Sequence, residues 1–322
     1  MQIITPDKID DLDKYFNENP SEVNIIPAWS MWKSVSENMY GEQADIGALL
    51  PWSKTHGKIK LRPGELSVWA GVNGHGKSLL LNQVMLHAMQ QGQRVVIASL
   101  EMPPVWTMRR MVMQAAGRKD PSESYIKDFH EWTENKLWLY NQVGTVDSRI
   151  ITAVIRYCAK NLKSAGKPMP PHHFVIDSFM KCGLGFDDYN KQKAFIDELT
   201  CIVRDYGVHI HLVAHSRKRE NESMTMSKFD VKGAGDITDM AHNVFTVWRN
   251  KKKEREMAKP NHDEKIEEEP DSIVICDKQR NGGWEGSIGL YFHESGQYTS
   301  QQGRRLPPLD TNGTMSSWEV YT

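Results

Sequence analysis

Cysteine is scarce in this chain. Cys158, Cys182, Cys201 and Cys276 are the only ones, and no two form a Cys-x-x-Cys pair. That scatter argues against a zinc ribbon or a disulfide framework and reads as reduced thiols packed as small apolar side chains in a cytosolic setting. Long apolar runs are absent as well. None approaches the ~20 residues that a membrane-spanning helix requires. No basic-plus-apolar leader opens the chain, so a soluble intracellular protein without a membrane partner is expected. Nor does one charge dominate: 40 Lys and Arg face 41 Asp and Glu, a formal net charge of −1. A surface for a polyanion must therefore be local.

What the 322 residues do contain is an alternation of strand-like and helix-like segments. Apolar runs at 66–70, 95–100, 174–176, 210–214, 244–248 and 273–276 are separated by helical stretches such as 78–90 and 191–206. This grammar predicts an α/β fold, a mostly parallel twisted sheet flanked by helices. Residues 1–26 are polar and acidic and are expected to form a mobile arm. In the following region, 27–50, Trp29, Trp32, Val35, Met39 and Tyr40 recur at spacings near three and four. They make one apolar helix stripe, which needs cover from its own domain or from a neighbouring subunit. Residues 51–300 hold the core. Within it, the charge-dense stretch 251–271 reads as a solvated loop or hairpin excursion, and 301–322 reads as a flexible tail.

The chemistry concentrates after the first apolar run, in Gly71-Val72-Asn73-Gly74-His75-Gly76-Lys77-Ser78, with Leu79 opening a helix. A turn that wraps a triphosphate needs backbone N–H groups pointing inward, which Gly71, Gly74 and Gly76 permit because they lack a Cβ. Lys77 would reach the β- and γ-phosphates of ATP or another nucleoside triphosphate, and Ser78 would offer its hydroxyl to Mg²⁺. Asp177 ends the run before Ser178 and is placed to hold the same Mg²⁺, because ligands of α/β sheets collect at the carboxyl ends of strands. Glu101 ends another run, in Ser99-Leu100-Glu101-Met102, and is the candidate general base for an attacking water. His209, His211 and His215 share a strand face. A zinc site there is disfavoured, since two-residue spacing plus a third His lacks the usual ligand set.

These segments, followed by Ala214-His215-Ser216-Arg217-Lys218, Gly233-Ala234-Gly235 and Lys278-Gln279-Arg280-Asn281-Gly282, occur in one order. Together they resemble the RecA-fold motor of hexameric replicative helicases, a family that includes the DnaB type, the mitochondrial Twinkle helicase and the primase-helicases of short-tailed phages. The resemblance spans about 27–298 and implies a RecA-like P-loop NTPase core. It implies that His215 senses the γ-phosphate, and that Lys278 and Arg280 reach in trans to the nucleotide of the next subunit. It also implies that Arg249 and His293 sandwich the base; Tyr291 shares the face of His293 by strand alternation. Lys181, at the start of the loop after Asp177, and Arg217, Lys218, Arg219, Lys228 and Lys232, between His215 and Gly233, would gather positive charge on single-stranded DNA in the pore of a ring.

The expectation is a ring-forming helicase, with a primase and a DNA polymerase as candidate partners, in a viral replisome within a bacterial cytoplasm. The chain shows no zinc module, primase domain or collar of the kind found in those relatives. Two alternatives remain open: a RecA-like recombinase or mediator, and a nucleotide-gated DNA-binding platform that recruits a polymerase.

Overall fold

A parallel strand buried at every position has cover on both faces, and the central sheet of this protein is built of such strands. The computed structural model describes residues 3–4, 27–41, 46–164, 166–185, 188–215, 235–261 and 263–310. Its main sheet comprises β1 (Ile3–Ile4), β2 (Leu66–Ala70), β3 (Val95–Ser99), β4 (Leu137–Tyr140) and β5 (His173–Asp177), then β6 (His209–Val213), β7 (Asn243–Arg249), β8 (Ser272–Gln279), β9 (Gly286–Phe292) and β10 (Tyr298–Thr299). The strand order is β1-β4-β3-β5-β6-β2-β7-β8-β9-β10. Neighbours run parallel from β1 to β7 and antiparallel from β7 to β10.

Alternation along each strand divides the core in two. Leu66, Val68, Val96, Phe174 and Leu212 pack on one face against α5 (Ser148–Asn161) and α6 (Tyr189–Tyr206). Trp69, Ile97, Val175 and Val213 pack on the other against α2 (Lys77–Gln90) and α3 (Pro104–Ala116). α4 (Glu123–Trp132) adds Phe129 to the second cluster. Helix starts are capped locally: Asp147 accepts from Arg149 N–H at 2.9 Å before α5, and Asp188 from Lys191 N–H at 3.1 Å before α6.

On the second face three buried histidines join adjacent strands. Trp69 Nε1–H donates to His211 Nδ1 at 3.1 Å, and the other ring nitrogen of His211 meets His173 Nδ1 at 3.1 Å. His209 lies between Arg62 O at 2.6 Å and Ser67 Oγ at 2.7 Å. Burial holds all three rings below the usual histidine range, so they are neutral links in a hydrogen-bonded row.

The structure corrects several expectations. The stretch read as a mobile arm supplies an edge strand, since Ile3 and Ile4 pair with Leu139 and Tyr140. β4 offered an open row of backbone groups there, which a short segment can satisfy. In the stretch read as a flexible tail, Leu306 and Leu309 are buried. Leu306 N–H donates to Gln297 Oε1 at 2.9 Å, and Leu309 N–H to Ala115 O at 2.8 Å; 311–322 lie outside the described residues.

The charge-dense stretch, which follows α7 (Gly235–Met240) and β7, contains two short helices, α8 (Lys251–Met257) and α9 (Lys265–Glu268). Asn250 caps α8, and buried Lys253 pairs with Asp271 at 2.8 Å. The apolar stripe does form a helix, α1 (Trp32–Tyr40), after a short 3₁₀ turn at Ala28–Met31. Trp29, Trp32, Val35, Met39 and Tyr40 are all exposed, so none of the described residues covers them. No helix among the described residues is long and apolar enough to cross a membrane.

Candidate active site

The neighbouring strands β3, β5, β6 and β2 all run parallel, so their carboxyl ends share one edge of the sheet. β2 leads into the loop before α2, β3 to Glu101, β5 to Asp177 and Ser178, and β6 to His215. Gly71 has φ +153°, and a Cβ there would collide with Val247 O; Gly76 has φ +84°, and a Cβ would strike the Tyr298 hydroxyl. Both positions therefore require glycine. Because α2 starts at Lys77, its first backbone N–H groups lack helical acceptors and are available to an anion.

Lys77 is folded over the loop, with Nζ donating to Gly71 O at 2.8 Å and Val72 O at 3.0 Å. Burial pushes its ammonium down to about 8, against the opposing pull of Asp177 and Glu101. His75 is turned inward, where its Nδ1 accepts from Arg249 N–H at 3.3 Å. Arg249 also donates from Nη1 to Gly74 O at 3.3 Å and is ion-paired with Glu254. Gly74 and His75 thus fasten the loop to β7.

Asp177 is buried, which raises its pKa, while a hydrogen bond from Ser78 opposes the shift. Its Oδ1 has no hydrogen-bond partner among the described residues. A buried carboxylate with one orphaned oxygen, set beside a serine hydroxyl, fits a hard oxygen-seeking cation such as Mg²⁺. Glu101 Oε1 accepts from Ser178 Oγ–H at 2.5 Å and faces His215 Nε2 at 3.2 Å. The carboxylate is held down to about 2, first by the His215 hydrogen bond, with burial opposing and Ser178 assisting. A cleft of about 440 Å³ opens here, lined by Asn73, Gly74, Gly76, Lys77, Ser78, Leu79, Glu101, Met102, Arg110 and His215.

Arg110 was not evident from the sequence. It stands beside Arg109, and only the setting of α3 decides that Arg110 lines the cleft while Arg109 lies over the Trp106 ring at 5.4 Å. His293 is placed differently from its expected role. Its ring is engaged by Ser295, Nδ1 to Oγ at 2.8 Å, and does not line the cleft. The aromatic brought to the loop is Tyr298, against Gly76, with the exposed Phe292 ring edge-on at 5.5 Å. The antiparallel pairing of Phe292 with Tyr298 at the β9–β10 turn sets the two rings together.

Tyr291 donates to Glu268 O at 2.9 Å. Lys278 and Arg280 also lie outside the cleft: Lys278 Nζ donates to Thr238 O at 2.9 Å and Asp239 O at 2.7 Å, and Arg280 Nη2 to Asp239 O at 3.1 Å. They cap the carboxyl end of α7. Lys181 sits in the turn after Ser178, away from the cleft lining, and Arg217, Lys218, Arg219, Lys228 and Lys232 lie outside the described residues.

A glycine-dependent loop between the central parallel strand and a helix, with carboxylates at neighbouring strand ends, defines a P-loop NTPase of RecA-like fold. The AAA domain family model matches residues 50–221, more than half of the chain, and the chain belongs to that family. Among solved structures, one of an isolated ATPase domain superposes with a TM-score of 0.66 at 18% identity, covering 87% of this chain and 100% of that one. A DnaB-like replicative helicase, described with its interactions with primase, superposes with a TM-score of 0.63 at 16% identity, covering 86% of this chain and 67% of that one. At such identities the likeness is one of fold.

The state of Lys77 has a measurable consequence. A bound triphosphate needs the charged ammonium, whereas the free site releases its proton near pH 8. Nucleotide affinity should therefore weaken by up to roughly tenfold per pH unit above about 8. Titration of a fluorescent triphosphate across that range checks it, and a flat affinity would refute the linkage.

Proposed function

We propose that the protein is the motor of a ring-forming replicative DNA helicase, in which nucleoside triphosphate hydrolysis at subunit interfaces drives translocation on single-stranded DNA and unwinding of duplex. The observation that carries this reading is a cleft with a held base, Glu101, from which the two cations at the end of β8, Lys278 and Arg280, are absent. A neighbour could supply its own pair, which makes the interface the catalytic unit. The uncovered stripe of α1 supports assembly, because an exposed row of two tryptophans, a valine, a methionine and a tyrosine is the kind of surface that another copy buries.

In this reading the loop N–H groups and Lys77 bind the phosphates, while Ser78 and Asp177 would hold a Mg²⁺ ion, which would supply charge neutralisation. Glu101 orients the water and takes its proton as the new O–P bond forms and the bond to the β-phosphate oxygen breaks. His215 and Arg110 face the same space. Tyr298 and Phe292, with Arg249, form the side on which the nucleoside would lie. The DnaB-like helicase described with primase makes a primase a candidate partner here as well.

The test is the rate of nucleotide hydrolysis with and without single-stranded DNA. A stimulation of about tenfold or more is expected for a translocase, with the salt sensitivity of a phosphate-contacting pore. Turnover that ignores DNA would favour a partner-gated platform instead.

A further inference from the structure

Ser178 takes no part in that chemistry, yet it is fully buried at the edge of the cleft and spends its single hydroxyl proton on Glu101. We infer that Ser178 is a positioning residue that keeps the Glu101 carboxylate aimed while His215 is occupied elsewhere. The inference rests on the reading of Glu101 as base and His215 as phosphate sensor.

Parallel pairing brings the two strand ends to one edge of the sheet. β3 and β5 are parallel with Ser99 opposite Asp177, and Leu100 N–H donates to Asp177 O at 2.7 Å. Glu101, two residues past the end of β3, and Ser178, one residue past the end of β5, are therefore delivered to the same edge of the sheet, where Ser178 Oγ reaches Glu101 Oε1. The backbone of Ser178 is then locked by the turn after it: Lys181 N–H donates to Ser178 O at 2.9 Å, Cys182 N–H to Phe179 O at 3.1 Å, and Val146 N–H to Lys181 O at 2.8 Å. Ser178 is thus a rigid donor.

Both donors to Glu101 use the same oxygen. Ser178 reaches Oε1 at 2.5 Å and His215 reaches Oε1 at 3.2 Å, which leaves Oε2 as the oxygen that can take a proton from water. The two donors are not equivalent. His215 lines the cleft and can turn its Nε2–H to a phosphate oxygen, whereas Ser178 is sealed behind Glu101 and has no such option. Once His215 engages the nucleotide, Ser178 is the donor among the described residues that still restrains Oε1. Without it the carboxylate would sample rotamers that take Oε2 off line, at a cost that falls on the chemical step and not on binding.

The experiment is steady-state hydrolysis by full-length Ser178→Ala, Ser178→Thr, Glu101→Gln and the Ser178→Ala/Glu101→Gln double variant, with binding of a fluorescent triphosphate as the check on folding. Ser178→Ala should lower kcat by about tenfold or more with KM within about twofold, as expected for losing a hydrogen bond to a charged group. In the Glu101→Gln background the same change should alter residual turnover by less than about twofold, because the group it positions is already disabled. Ser178→Thr, which retains the hydroxyl, should recover most of the loss. Should threonine not be accommodated, the double-variant comparison decides.

Equal loss from Ser178→Ala in both backgrounds, or an unchanged kcat in the single variant, would overturn the positioning role. Full activity in Glu101→Gln would instead remove the base assignment on which it rests, so the two failures are distinguishable.

Discussion

The Glu101→Gln protein should bind nucleoside triphosphate about as well as the parent and hydrolyse it roughly a thousandfold more slowly, the middle of the range for removal of a general base. The amide is nearly isosteric and its oxygen can still accept from Ser178, so the fold of the strand end should survive. In the reading proposed above, what it loses is the negative charge that takes the water proton. The hydrogen bonds to Glu101 make this loss selective. They hold the carboxyl down to about 2, so it is ionised throughout the neutral range and its protonation cannot limit the parent enzyme there.

The same shift works on stability. A folded-state value below the ordinary 4.5 stabilises the protein above that pH, and the contribution is lost as pH falls from 4.5 towards 2. Rapid-quench hydrolysis with saturating nucleotide checks the kinetic claim. A turnover within tenfold of the parent would sink it.

Arg280→Ala should also retain nucleotide binding and lose turnover, on the order of a thousandfold if it acts as an arginine finger. The structure makes the direction of action testable. Arg280 donates to Asp239 O and lies outside its own cleft, so a role at its own nucleotide would require the strand end to travel. Mixing Arg280→Ala subunits, whose base is intact, with Glu101→Gln subunits, whose finger is intact, should restore a fraction of the activity. Each mixed interface can pair a working base with a working finger. Recovery in the mixture supports action across the interface; two inactive proteins that stay inactive together, despite forming mixed assemblies, would place the finger in cis. Retained turnover in Arg280→Ala alone would remove the finger assignment.

Much of the candidate-site edge was legible in the sequence, for a local reason. A strand that turns sharply into a helix needs residues without a Cβ, and Gly71 and Gly76 carry that requirement within one short segment. The apolar runs ending near Glu101, Asp177 and His215 were equally local, and parallel strands must bring their ends to one edge. Contacts between distant segments were not legible. Ser178 meets Glu101 across 77 positions, and Tyr298 reaches the loop from beyond a turn in which Ser295 engages His293. Arg109 and Arg110 have the same chemistry, and only helix packing separates them.

The sequence by itself determined the class of fold, the phosphate loop and the strand ends on which the carboxylates stand, because periodicity and glycine placement are properties of neighbouring residues. Only the tertiary structure decided strand order, the edge pairing of Ile3–Ile4 and the burial of Leu306 and Leu309. It also decided which donor holds which oxygen of Glu101. Those outcomes depend on how layers pack and on which surfaces are left to be covered, and packing is settled by the whole chain at once.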